Sequence, residues 1–177
     1  MYEYAKKFGI PHESCSNYMA VNTRCRADKP VTDENKPPCY TCSPGRAGCK
    51  AISAFDKLYI SGYGEASGYA KMKQEIYKNG PISCGIDATD KMEAYTGGIY
   101  SEAGAQSIDH IISVVGWGVD ADSGDEYWIV RNSWGEPWGE KGFMRIVTSR
   151  NTGPAGTANN AIEHECAFGM VDRFAAA

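Results

Sequence analysis

A histidine and an asparagine 22 residues apart concentrate the chemistry of this sequence. Ile108-Asp109-His110 opens one apolar run, and Arg131-Asn132-Ser133-Trp134-Gly135 closes the next. Imidazole is the side chain that exchanges a proton near neutral pH. If the two runs are strands paired antiparallel, Asn132 lies beside His110. Its side-chain oxygen then accepts the proton of one ring nitrogen, fixes the tautomer, and leaves the other nitrogen to a thiol. Trp134 covers that hydrogen bond from water. Glu136-Pro137-Trp138-Gly139-Glu140-Lys141-Gly142 follows as a turn-rich stretch leading into FMRIV. Singly, a histidine at a strand end, an asparagine before serine and a tryptophan are ordinary structural residues. Together at this spacing they are hard to dismiss.

Other chemistries fail on their geometry. Gly116-Trp-Gly118-Val-Asp-Ala121 fits a dinucleotide fingerprint, but a strand follows where a helix must present its N-terminus to pyrophosphate. Asp120-Ala-Asp122-Ser-Gly124-Asp125 resembles a calcium loop, yet its glycine comes one place early and Arg131 stands where a bidentate glutamate is needed. No G-x-S-x-G elbow occurs. Of the seven cysteines, Cys15, Cys25, Cys39, Cys42 and Cys49 fall within 35 residues. Cys39-x-x-Cys42 with Cys25 and Cys49 could supply a structural zinc, but there is no second close pair. Disulfides are the favoured reading, an oxidising compartment is implied, and no metal or cofactor is expected. The odd count leaves one thiol unpaired.

Composition bounds the remaining classes. Apolar residues make up 42% and charged residues 23%, which is globular usage. The balance of 18 basic against 22 acidic residues, net −4, argues against nucleic acid as a partner. No apolar run reaches the roughly 18–20 residues that span a bilayer. The first twenty residues lack the features of a signal peptide. That sits awkwardly with the cysteine usage unless an N-terminal stretch precedes this chain.

The elements that must position the pair are legible in outline. YEYAKKF reads as a short helix stopped by Gly9 and Pro11, and residues from Ser14 to about Gly48 as an irregular, cross-linked region. Residues 67–79 form the clearest helix, capped by Ser67, with Tyr69, Met72, Ile76 and Tyr77 at helical spacing and Gly80-Pro81 at its end. PISCGI, GGIYS, HIISVVGW, EYWIVRN and FMRIVTS read as strands, with DADSGD as a hairpin connection. A loop-and-helix front and an antiparallel sheet or barrel at the back make an α+β chain.

NSWGEPWGEKG resembles the asparagine segment of papain-like cysteine peptidases, IDHIISVVGWG their histidine segment, and NGPISCGIDA with YTGGIYS the strands leading to it. The resemblance runs from about residue 2 to about residue 169, and CYTC with AIEHECAFG favours a carboxypeptidase branch of the family. It implies a papain-like fold, incomplete at its N-terminal side. Residues 1–66 would be the remnant of the helical lobe with a disulfide-rich loop region, and 67–177 the β-rich lobe carrying the catalytic pair. His110 would be the general base and acid, Asn132 its orienting partner, with Trp134 shielding them and Asp109 alongside. Ile108 and Gly85 would line the cleft for the substrate residue preceding the scissile bond. The family pattern pairs Cys15 with Cys39, Cys42 with Cys49 and Cys84 with Cys166, leaving Cys25 to a partner earlier in the chain. Peptides or proteins would be the substrates and a lysosome or the extracellular space the location.

The nucleophile is not in view. A papain-type cysteine sits in C-G-[SA]-C-[WY], its histidine roughly 130–150 residues downstream, which places it before Met1. That motif does not occur here: of the seven cysteines only Cys84 is followed by a glycine, and Ile86 comes next. The oxyanion glutamine that precedes the nucleophile in the family is absent as well. The expectation is a chain holding the base half of an active site, inactive alone, with the missing N-terminal part of the same protein as its partner. A non-catalytic pseudo-peptidase that binds peptides or a receptor is the alternative. A zinc-stabilised interaction module is a third, and it leaves NSWG unexplained.

Overall fold

The computed structural model describes residues 1–15 and 55–176 in full, and the strands at 39–42 and 49–52 by their backbone. Cys25 and the side chains of Cys39, Cys42 and Cys49 lie outside the described residues, and with them the expected Cys15–Cys39 and Cys42–Cys49 bonds and the unpaired Cys25. The chain forms two compact units, Met1–Gly62 with Val171–Ala177, and Tyr63–Met170.

In the first unit, helix α1 (Tyr2–Phe8) ends at Gly9, as expected. Strand β1 (Ile10–Pro11) pairs antiparallel with β4 (Asp56–Glu65), Ile10 opposite Leu58. A 3-10 turn at Glu13–Cys15 separates β1 from β2 (Cys39–Cys42), which pairs with β3 (Cys49–Ile52) so that Cys42 lies across from Cys49. Cys15 is disulfide-bonded.

The second unit carries the sheet that bears His110 and leads to Asn132. After helix α2 (Tyr69–Asn79) come β5 (Ile82–Ile86), the short helix α3 (Asp90–Glu93), β6 (Ile99–Tyr100), β7 (His110–Val119), β8 (Glu126–Arg131), β9 (Phe143–Val147), helix α4 (Ser149–Thr152) and β10 (Cys166–Ala176). Here the strands lie in the order β10-β5-β7-β8-β9-β6. Neighbours run antiparallel except β6 on β9, which is parallel, so the antiparallel expectation fails at that edge. The physical reason is the excursion between β6 and β9, which returns the chain in the same direction. Strands β2, β4 and β10 are not legible in the sequence: Cys39–Cys42 lies in the stretch that reads as irregular and is a strand only through its pairing with β3, DKLYISGYGE mixes charge and glycine into its alternation, and CAFGMVDRFAA lacks a clear period.

Alternation in the strands builds the core. Ile82, Cys84 and Ile86 of β5, Ile112 and Val114 of β7, Trp128 and Val130 of β8, and Met144 and Ile146 of β9 are all buried, every second residue, as period-2 side chains on one face require. Helix α2 covers this face with Met72 and Ile76, one turn apart, and Tyr69 packs beside Trp128 with ring centroids 5.9 Å apart. Tyr77, placed with them by spacing, is 86% exposed. It lies about 140° around the helix from Met72. Ser67 does not cap α2 either: Gly68 is the N-cap residue, and the Ser67 hydroxyl accepts from the N–H of Cys166 at 3.0 Å. Cys84 and Cys166, opposite each other on β5 and β10, form the expected disulfide. At the centre, Oε1 of the buried Glu163 accepts from the indole N–H of Trp128, the Ser149 N–H and the Asn159 amide, and the Ser149 hydroxyl donates to Oε2, so neither carboxylate oxygen is left unpaired in an apolar setting.

Candidate active site

Adjacency of His110 and Asn132 depends on a fault in the β7–β8 ladder. From the hairpin end the register runs Val119 opposite Glu126 through Gly116 opposite Ile129; it then shifts, and Val114 pairs with Val130 and Ser113 with Arg131. Val115 is the extra residue of a β-bulge. Continued without it, the ladder would set Asn132 across from Ser113, on the face opposite His110, because a one-residue slip exchanges faces. With it, Asn132 follows opposite Ile112, on the same face as His110 and two residues along. Gly116 in the middle of a strand was the sequence signal for this bulge.

Brought together in this way, the imidazole Nε2 lies 2.9 Å from Asn132 Oδ1. The Ser133 backbone N–H donates to the same oxygen at 2.7 Å. A backbone N–H can only donate, so the atom facing both groups is the amide oxygen, and Nε2 must carry the proton. Nδ1 is thereby left with its lone pair, free to accept a proton. Asn132 itself is 8% exposed, its N–H bonded to the Gly142 carbonyl at 3.0 Å. Its side-chain nitrogen is buried and has no hydrogen-bond partner among the described residues.

Trp134 stacks on the imidazole, with ring centroids 5.0 Å apart and an interplanar angle of 21°. Asp109, the neighbour of His110, points away from it: its Oδ1 accepts from the Ala88 N–H at 2.9 Å, and its own N–H donates to the Ile86 carbonyl. That holds the entry to β7 against the end of β5. Gly85 and Ile108 do come together. A Cβ at Gly85 would stand 2.6 Å from Ile108 Cγ2, so only glycine lets that isoleucine settle against β5.

The stretch Glu136–Gly142 reads as turn-rich from sequence, but its fastenings do not show there. Gly139, at φ 57°, passes so close to Phe143 that a Cβ would lie 2.6 Å from its carbonyl oxygen. Glu140 receives two guanidinium nitrogens of Arg145, the nearest contact 2.6 Å, and the Gly98 N–H at 3.0 Å. The Arg145 hydrogen bonds, working against burial, hold the Glu140 carboxyl below its ordinary 4.5. Burial pushes the Tyr95 phenol above its ordinary value, and its O–H donates to the Gly98 carbonyl. Trp138 packs between Tyr95 and Trp134, at 5.5 and 5.2 Å. No short-range pattern marks Trp138, Glu140 and Tyr95 as belonging to one assembly, since Trp138 meets Glu93 and Tyr95, and Glu140 meets Gly98, across more than forty residues of sequence.

Among the described residues no group of three or more His, Cys, Asp or Glu could hold a metal ion, and no helix is long and apolar enough to cross a membrane. Asp120, in the segment resembling a calcium loop, instead accepts the N–H groups of Asp122 and Ser123 in its own turn. Every cysteine whose side chain is described, Cys15, Cys84 and Cys166, is in a disulfide. The site therefore presents an oriented imidazole with one basic nitrogen open, and no thiol beside it among the described residues.

Residues 1–169 match the model of the papain family cysteine proteases. The chain is 49% identical over 168 residues to cathepsin Z of Onchocerca volvulus, covering 95% of this chain and 52% of that protein. It is 38% identical over 135 residues to fruit bromelain of Ananas comosus, covering 72% of this chain and 36% of that one. Among solved structures, a Carica candamarcensis cysteine protease in complex with E-64 superposes with a TM-score of 0.68 at 25% identity, over 97% of this chain and 67% of that one. Procathepsin L 3 of the Tenebrio molitor larval midgut gives 0.67 at 27% identity, over 96% of this chain and 46% of that one. The chain thus spans about half the length of the cathepsin Z relative it matches. With its α+β fold and its paired histidine and asparagine, this chain belongs to the papain family of cysteine proteases.

Proposed function

We propose that this chain is the histidine–asparagine half of a cathepsin Z-like cysteine peptidase that removes residues from the C-termini of peptides and proteins. In this reading the nucleophilic cysteine and an oxyanion-hole glutamine come from polypeptide outside residues 1–177. His110 Nδ1 takes the thiol proton and forms a thiolate–imidazolium pair. The thiolate attacks the scissile carbonyl, and the imidazolium returns the proton to the leaving amine. His110 then draws a proton from water, which hydrolyses the acyl-thioester and frees the sulfur. Asn132 keeps Nδ1 turned toward the sulfur throughout, Trp134 excludes water from the Nε2–H bond, and Gly85 with Ile108 borders the cleft for the residue preceding the scissile bond. The disulfide between Cys84 and Cys166 supports a lysosomal or extracellular setting.

The observation that carries this reading is the single-proton logic at His110: an amide oxygen fixed by a backbone donor leaves one imidazole nitrogen free, which a purely binding module has no use for. The test compares the 177-residue chain with the same chain extended by its upstream coding sequence, each treated with a thiol-directed peptidyl epoxide and with peptides bearing free or amidated C-termini. The extended chain should label once, at a cysteine outside residues 1–177, and release single C-terminal residues from the free acid. The short chain should neither label nor cleave. Labelling within residues 1–177, or cleavage that survives His110→Ala, overturns the reading.

A further inference from the structure

Trp134 is held in the right place by something other than its own backbone. It sits at the start of an irregular loop, flanked by Gly135 at φ 86°, and is still 36% exposed. Stacking on one imidazole does not fix an indole against sliding or lifting away. The edge of the ring, however, meets Trp138 at 86°, an edge-to-face contact with centroids 5.2 Å apart.

Trp138 is anchored from three directions. Its indole N–H donates to the backbone carbonyl of Glu93 at 3.0 Å, across 45 residues of sequence. Its ring lies against Tyr95, which is itself tied by its hydroxyl to Gly98 and to the N–H of Arg145. Its backbone closes the loop, the N–H donating to Gly135 and the carbonyl accepting from Gly142 at 2.7 Å. Glu93 in turn ends α3, where the Thr89 hydroxyl caps the N–H of Met92 at 3.1 Å. A helix end more than forty residues away thus holds the indole against which the lid over His110 rests.

We propose that Trp138 is a positioning residue for the proposed reaction, holding Trp134 over the His110–Asn132 hydrogen bond through its own attachment to the Glu93 carbonyl. This rests on the peptidase reading for its consequence in catalysis, but not for its structural content. The ring contacts and side-chain hydrogen bond of Trp138 go to Tyr95, Trp134 and Glu93, so its effect on the pair passes through Trp134. The contacts at stake, one neutral hydrogen bond and two aromatic pairs, are of a size that changes the closed fraction of the lid by about tenfold.

The test uses Trp138→Leu, which removes ring and donor, and Trp138→Phe, which keeps a ring and removes the donor. The first readout is the His110 Nε2–H proton signal by NMR and its exchange with water, which requires no enzymatic activity. The second is kcat and KM of the extended chain. Trp138→Leu should speed that proton's exchange by about tenfold and lower kcat by a similar factor with KM changed less than about twofold, and Trp138→Phe, which keeps a ring but loses the Glu93 attachment, should still change both by about threefold or more. If Trp138→Leu only lowers the melting temperature while the proton exchanges as in the parent, Trp138 is merely structural and the proposal is wrong. Should Trp138→Leu fail to fold, unaltered exchange in Trp138→Phe would overturn the role of the Glu93 attachment. An extended chain without peptidase activity would refute the proposed function, and the proton exchange would still decide this inference.

Discussion

Replacing Asn132 by alanine is the sharpest perturbation of the site, because its oxygen serves two donors at once. In the parent, Oδ1 accepts from His110 Nε2 at 2.9 Å and from the Ser133 N–H at 2.7 Å. Alanine removes both. The Ser133 N–H loses a local turn contact that water can replace. The imidazole loses the partner that orients it, and it does so in the state where the ring is charged. A hydrogen bond to a charged group contributes about 1.5–3 kcal/mol. At about 1.4 kcal/mol per decade, kcat/KM should fall about 10- to 150-fold. The assay is kcat/KM on a peptide with a free C-terminus, using the extended chain and normalised to the fraction labelled by a thiol-directed epoxide. Asn132→Gln, which keeps an amide but on a longer arm, should lie between alanine and the parent. A loss below about threefold at equal labelled fraction would refute the orienting role, because the geometry leaves the imidazole no other acceptor for Nε2–H among the described residues.

Two further outcomes follow from contacts away from the pair. Gly85→Val places a carbon 2.6 Å from Ile108 Cγ2 and must displace it; the ratio of kcat/KM between peptides with large and small residues before the scissile bond should drop, and an unchanged ratio would remove Gly85 and Ile108 from the cleft. Glu140, held below its ordinary 4.5 chiefly by Arg145, binds fewer protons folded than unfolded. Its contribution is therefore complete above about pH 4.5 and is lost as pH falls through its folded value. Glu140→Gln should lower the urea midpoint near pH 7 and flatten its decline on acidification; an acid decline as steep as the parent's would exclude Glu140 as a source of it.

Legibility in the sequence followed the range of the interactions. The strands around the core were readable because EYWIVR and HIISVV are short, rich in β-branched and aromatic residues and bounded by turn residues, and the hairpin tip because DADSGD can only turn. Helix α2 was readable as a helix, but its buried stripe was drawn too wide, since spacing alone does not say which residues meet the sheet. The pairing of His110 with Asn132 was inferred from an antiparallel hairpin, yet an even ladder would have separated them; the bulge at Val115 made that inference come true for a reason that was not seen. The supports of the loop were illegible for a different cause. Glu93 offers a backbone carbonyl, Gly98 a backbone N–H, and neither announces itself by residue type. Tyr95 and Trp138 look like any aromatic residues until tertiary structure sets them side by side.

The irregularity in β7 divides the hairpin into two kinds of length. Residues inserted at the tip, between 120 and 125, lie beyond the last ladder pair and leave every facing undisturbed. One residue lost beside Val115 would restore an even count and carry the imidazole to the other side of the sheet. Proteins built on this plan are free to vary the interval between histidine and asparagine, provided the parity of the strand that bears the histidine is kept, so a search for such pairs by fixed spacing will overlook some that work and admit some that cannot.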